Sequence, residues 1–177
     1  MIDFPGGMTK FTIRRLDGIG PGGGPLYVTL SNNVTDLQCP SMRDVLTLST
    51  STDLIHWELH GVILHDDTGL RAEDAHRYAG FHYVDSVAEV VATEMVRGGL
   101  GGADALRRAS AVDLSFVVRT AYRGAVSYHN SNRMTFKKIR LSVESEDAPP
   151  LDLDTIPAGE LGIGSGGSVR VKVLHDV

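Results

Sequence analysis

The sequence predicts an all-β protein, a sandwich or a propeller, broken once by a helix-prone stretch. Short runs that alternate apolar and polar residues recur along the chain, rich in Val, Ile, Leu, Phe and Thr. Clusters of Gly, Pro, Asn and Asp separate them and supply the turns of hairpins. The spacing of these hairpins is regular, as in stacked or radially repeated sheets.

Residues 10–16 and 25–31 are the first two strand candidates, and the Gly- and Pro-rich residues 17–24 between them admit only a turn. A polar loop follows at 32–43, with Asn32-Asn33 and Cys39-Pro40 as breakers. A second hairpin pairs 45–49 with 55–64 across Ser51-x-Asp53-Leu54-x-x-Trp57. There the Ser and Asp side chains are placed to bond the turn's own N–H groups and the Trp to fold back over them, a folding device rather than a catalytic one.

Residues 66–79 read as irregular, and 80–86 alternate as a strand ending near Asp85. In 87–97 the apolar residues Val87, Val90, Val91 and Met95 fall at helical spacing, and 103–109 is again helix-prone. Glycines 98, 99, 101 and 102 forbid one continuous helix. The expectation is that 86–111 forms an insertion outside the sheets, one that can be deleted without loss. Strands at 114–120 and 134–141 follow, then an acidic, Pro-containing linker at 144–157 and a last strand at 168–174. The expected division is a β body over 1–143 and a linker with a C-terminal strand over 144–177.

At 177 residues the chain has room for one ordinary core, and its 42% hydrophobic content argues against disorder. A net charge of −5 with no basic run beyond a pair excludes a general nucleic-acid binder. Cys39 is the sole cysteine, so neither a disulfide nor a cysteine-rich zinc site forms within the chain. The first residues lack the basic start and apolar run of a signal peptide, and no apolar stretch approaches the roughly 20 residues that span a bilayer. No membrane partner is therefore expected. The opening reads as the approach to a strand, the pattern of a chain that begins inside a larger protein.

Gly162-x-Gly164-x-x-Gly167 has the spacing of a dinucleotide fingerprint, but a strand pattern, not a helix, follows it. His56, Glu58 and His60 share a strand face without any established ligand spacing. Neither a cofactor nor a metal is expected. No nucleophile elbow is present. The densest polar cluster lies between the strands at 114–120 and 134–141, where Arg119, Tyr122, Arg123, Tyr128, His129, Asn130 and Asn132 gather. Loops on a rigid frame collect binding groups, and this set suits an acidic or polyhydroxylated ligand, although a solvated hairpin loop has the same look.

Several short motifs occur in a fixed order: Phe4-Pro-Gly-Gly-Met-Thr-Lys-Phe, Tyr27-x-x-Leu-Ser-Asn32, Arg43-Asp-x-Leu, Ser51-x-Asp-Leu-x-x-Trp57, Gly80-Phe-x-Tyr-Val-Asp85 and Val118-Arg-Thr-Ala-Tyr122. Over residues 2–139, apart from the helix-prone stretch, the chain resembles sialidase-like (neuraminidase-like, BNR-repeat) β-propeller glycosidases. The resemblance is to the C-terminal half of such a propeller. At about 40–50 residues per blade it implies a partial propeller of about three to four blades. It leaves apolar blade faces, among them those of Phe116, Val118 and Phe136, without a neighbour. It further implies a glycoside hydrolase acting on a terminal acidic sugar of a glycoconjugate, with full-length relatives that are secreted. Arg14, Arg43 and Arg119 would bind the carboxylate, with His129, Asn130 and Asn132 beside them. Tyr122 or Tyr128 would be the nucleophile, and Asp85 the acid/base. The alternative is a non-catalytic carbohydrate-binding or protein-interaction module, whose open blade edges invite self-association.

Overall fold

The computed structural model describes residues 3–97, 106–146 and 169–176. They form two four-stranded antiparallel sheets and one short helix. The first sheet runs in chain order through β1 (Thr12–Leu16), β2 (Leu26–Asn32), β3 (Val45–Ser51) and β4 (Glu58–His65). Helix α1 (Ala72–Tyr78) leads into the second sheet, again in chain order: β5 (Gly80–Arg97), β6 (Leu106–Ala121), β7 (Arg133–Glu146) and β8 (Val169–Asp176). The all-β expectation holds, and the described residues form two sheets where three or four blades were expected.

Alternation explains why these runs pair as they do. Leu26, Val28 and Leu30 of β2 face Leu46 and Leu48 of β3, all at most 2% exposed. Across the interface stand Val112, Leu114, Phe116 and Val118 of β6 with Leu141 and Val143 of β7, so that one core serves both sheets. Each such side chain contributes roughly 1.5–3 kcal/mol on burial. Phe116 and Val118 thus do have a neighbour, the first sheet, whereas Phe136 is 71% exposed. On the opposite side of β6, Asp113 is held by Lys138 and Arg140 at 2.6 Å each.

The two sheets meet along their first strands. Thr12 donates to the Val84 carbonyl across 3.4 Å, and Arg14 donates to both the Ser86 carbonyl and the Asp85 carboxylate.

The Ser51–Trp57 turn folds as its residues require. Asp53 accepts from the N–H groups of Ile55 and His56, both at 2.8 Å, and Ser51 Oγ accepts from that of Leu54. Trp57 returns its indole N–H to the Leu54 carbonyl at 3.3 Å. His56 and the two backbone donors hold the Asp53 carboxyl below the usual carboxylate range.

Three readings need correction. Residues 87–97 are strand, not helix: Val87 pairs with Ser115, Glu89 with Asp113 and Thr93 with Ser110 in one long hairpin. A register shift between Val90 and Ala92 breaks the two-residue period, and β-branched residues on both faces give the run a false helical spacing. The described parts of the expected insertion, 86–97 and 106–111, therefore continue the second sheet, and residues 98–105, with their glycines, lie outside the described residues. The acidic linker likewise begins later than expected, because Glu144, Ser145 and Glu146 belong to β7 and pair with β6; residues 147–157 lie outside the described residues. Helix α1 falls in a stretch read as irregular, with Glu73 and Asp74 in its first turn and His76 and Arg77 in its last, the arrangement the helix dipole favours.

Candidate functional site

A cleft of about 440 Å³ opens between the two sheets. One wall comes from the N-terminal segment (Gly7 to Lys10), Asn32 at the end of β2, and Arg43 just before β3. The other comes from Phe81, His82 and Tyr83 at the start of β5 and His129 in the loop between β6 and β7.

Hydrogen bonds fasten the walls together. The Phe81 N–H donates to the Arg43 carbonyl at 2.9 Å, and Asn32 Nδ2 donates to the Phe81 carbonyl at 3.2 Å. Gly80 lets the chains come this close: a Cβ there would stand 2.8 Å from Cβ of Arg43, and its φ of +148° suits only glycine.

The geometry of β5 changes at this point. The ladder to β6 shifts register between His82 and Asp85, and Tyr83 has a φ of +46°, left-handed for a bulky residue. As a result Phe81 and His82 are both buried in succession, while Tyr83 turns outward, 49% exposed. Strain of this kind, worth roughly 1–3 kcal/mol, collects where surrounding structure holds a side chain for a purpose.

Around His82 the rings and cations form one cluster. His82 Nδ1 accepts a hydrogen bond from Arg43 Nη1. Tyr128 stacks over the His82 ring at 6.3 Å and 13°, and contacts His129 at 4.1 Å. The Arg43 guanidinium lies 5.4 Å above the Tyr128 ring. Lys10 and Arg119 lie 4.9 and 5.8 Å from the ring of Tyr83. Burial, then the charge of Arg43, pushes the His82 imidazole down to about 4, and His129 and Arg119 add to the shift. Burial also lowers the Arg43 guanidinium.

Thr9 Oγ1, Asn32 Oδ1 and Arg43 Nε are buried without a hydrogen-bond partner, and all belong to residues that line this cleft. Buried polar atoms ordinarily find partners, so their concentration here marks a place for a polar guest. Comparison with known proteins finds no matching family model, no similar curated protein and no similar solved structure. The site is therefore read from its own chemistry.

Of the residues singled out in the sequence, Arg43, Arg119, Tyr128 and His129 come together here. Arg14 and Asp85 do not line the cleft; they pair with each other and join the sheets. Tyr122 lies against Arg133, 3.7 Å from the guanidinium carbon, and Arg123 at 5.7 Å. Asn132 closes the loop by bonding the Tyr122 backbone, and Asn130 accepts from Ser127 Oγ within the same loop. Helix α1 steadies that loop: the Tyr128 N–H donates to the Arg77 carbonyl at 2.6 Å, and the His76 ring stacks on Tyr128 at 6.3 Å.

Lys10, Asn32, His82 and Tyr83 are the residues that sequence reasoning missed. Gly80-Phe-His-Tyr-Val-Asp85 was read as strand alternation and as a motif of the resemblance, and neither reading singles out His82 or Tyr83 as a site residue. The place where the alternation fails, between His82 and Asp85, is set by the pairing of β5 with β6.

Proposed function

We propose that the chain binds a carboxylate-bearing sugar in this cleft and is part of a sialidase-like β-propeller glycosidase. The observation that carries the reading is the composition of the lining: the cations Lys10 and Arg43 with His82, His129 and Tyr83, and no Asp or Glu among the lining residues. Guanidinium and ammonium groups without a competing carboxylate favour an anion, and Arg43 offers it a planar fork. Aromatic rings beside them suit the apolar faces of a sugar ring. The propeller reading draws support from two four-stranded sheets in simple chain order, joined through their first strands β1 and β5. Adjacent propeller blades meet in this way, with the innermost strands nearest the axis.

Hydrolysis of a sialidase-like type needs a tyrosine nucleophile beside the bound sugar. Tyr83 is the tyrosine that lines the cleft, with Tyr128 packed behind it on His82. Asp85, engaged by Arg14, must leave that pair to act as acid/base. A second reading, a non-catalytic carbohydrate-binding module, is favoured by the same absence of a lining carboxylate.

Titration calorimetry with N-acetylneuraminic acid, glucuronic acid and glucose tests the binding. The acidic sugars should bind and glucose should not, and Arg43→Ala should weaken binding at least about tenfold. Equal binding of glucose, or an unaffected Arg43→Ala, would end the acidic-sugar reading. Assays on aryl glycosides separate the two classes: turnover lost in Tyr83→Phe supports the enzyme, and binding without turnover supports the module.

A further inference from the structure

We infer that His82 is a positioning residue for Arg43: its neutral imidazole accepts a hydrogen bond that aims the guanidinium into the cleft, and protonation of the imidazole releases it, so that anion binding is gated by pH. This rests on the reading of the cleft as an anion site.

The direction of the bond decides the protonation state. A guanidinium has donors only, so Nδ1 of His82 must be the bare nitrogen and Nε2 carries the hydrogen. The ring cannot swing to a new partner, because it is 1% exposed and stacked on Tyr128. Arg43 is fixed at its other end by the Phe81 N–H on its carbonyl and by Gly80 against its Cβ. A fork held at both ends loses little freedom on meeting an anion, which is how preorganisation raises affinity. An imidazolium has no acceptor left and adds a positive charge facing Arg43, so the bond gives way to repulsion.

The titratable and charged groups around His82 come from four directions. Arg43 lies on the side of the first sheet, Tyr83 follows on β5, Arg119 is its register partner on β6, and Tyr128 and His129 come from the loop beyond. None is a carboxylate. The cations and the burial oppose protonation, and only the Tyr128 backbone carbonyl works the other way. The gate therefore operates in the acidic range, near pH 4.

A sulfated sugar, glucose 6-sulfate, isolates the effect because its own charge stays constant where a carboxylate would titrate. Its affinity is measured by calorimetry between neutral pH and roughly pH 3 for the wild type, His82→Gln and His82→Ala, each first checked for folding by circular dichroism at every pH. Gln can accept from Arg43 through its side-chain oxygen but takes up no proton. Wild-type affinity should fall about twofold by pH 4 and about tenfold by roughly pH 3, as the neutral fraction of the imidazole shrinks, whereas His82→Gln should bind more tightly than His82→Ala at neutral pH and stay flat. His82→Ala should be weak throughout. A His82→Gln profile that falls with acid like the wild type, or full affinity in His82→Ala, overturns the inference. Nitrogen-15 spectra of the imidazole provide a readout without ligand: a bare Nδ1 and protonated Nε2 at neutral pH, with Arg43 side-chain protons exchanging slowly until His82 titrates. If that coupling is seen and no anion binds, the anion reading of the cleft fails and the gate with it. Should anions bind and the coupling be missing, the positioning role alone is lost.

Discussion

Asn132 grips the backbone of Tyr122 on both sides, accepting its N–H at 2.8 Å and donating to its carbonyl at 3.4 Å. A further bond to the Arg123 carbonyl, at 3.3 Å, closes the loop that carries Tyr128 and His129. Asn132→Ala leaves those groups to water at an exposed position, so stability should fall by only about 1 kcal/mol. Ligand affinity should fall more steeply, since the loop loses its closure. Denaturant melts beside calorimetry on the same variant check both halves; a variant that binds normally would show that α1 alone holds the loop.

Stability should depend on pH through His82. Its folded value of about 4 lies below the 6.5 of an unperturbed histidine, so the unfolded chain binds the proton more readily. The stabilisation is complete above about pH 6.5 and is lost as the pH falls toward 4, roughly 3 kcal/mol in all. Melting temperature followed over that window should drop in the wild type and drop less in His82→Gln. Parallel curves for the two proteins would assign the acid sensitivity to other groups.

Gly80→Ala places a methyl group 2.8 Å from Arg43 Cβ in a backbone conformation that alanine resists. The variant should lose more than about 1 kcal/mol and bind acidic sugars poorly, because Arg43 is the side chain that must move. Alanine at Gly69, where φ is also positive and nothing lies within 4 Å of the added carbon, serves as the control. It should lose stability without losing affinity.

Removing residues 87–110 should lower the melting temperature sharply, against the expectation that a protruding insertion can be spared. Val87 to Val90 pair with Ser115 to Val112, and Val112 and Leu114 are fully buried in the shared core. Stripping one ladder from these residues exposes core and backbone together. An unchanged melt would mean that β7 supports β6 unaided.

The hairpins of the first sheet and the Ser51–Trp57 turn were legible because local chemistry decides them: alternation selects the face and the turn's side chains satisfy its own backbone. Residues 87–97 were not, because their strand state comes from pairing with β6, while the spacing of exposed valines mimics a helix. In the site, Arg43, Arg119, Tyr128 and His129 stood out as charged or aromatic groups near strand ends. His82 did not, since its burial depends on a register shift between His82 and Asp85 that no two-residue period reveals. Nor did Lys10, whose place over Tyr83 depends on the left-handed turn of Tyr83 itself.

The cleft has one wall from each sheet, with Arg43 and Asn32 facing Phe81, His82 and His129. A molecule seated there acts as a rivet: its binding free energy counts toward keeping the halves together, and grows with the logarithm of its concentration. With the rivet in place the sheets should part only in a single cooperative event. Without it, only Asn132, α1 and the contacts of Tyr128 hold the loop carrying Tyr128 and His129, which should then open first and offer itself to a protease. Survival under digestion is thus a gauge of occupancy, and it reports a ligand in a crude mixture before its chemistry is known.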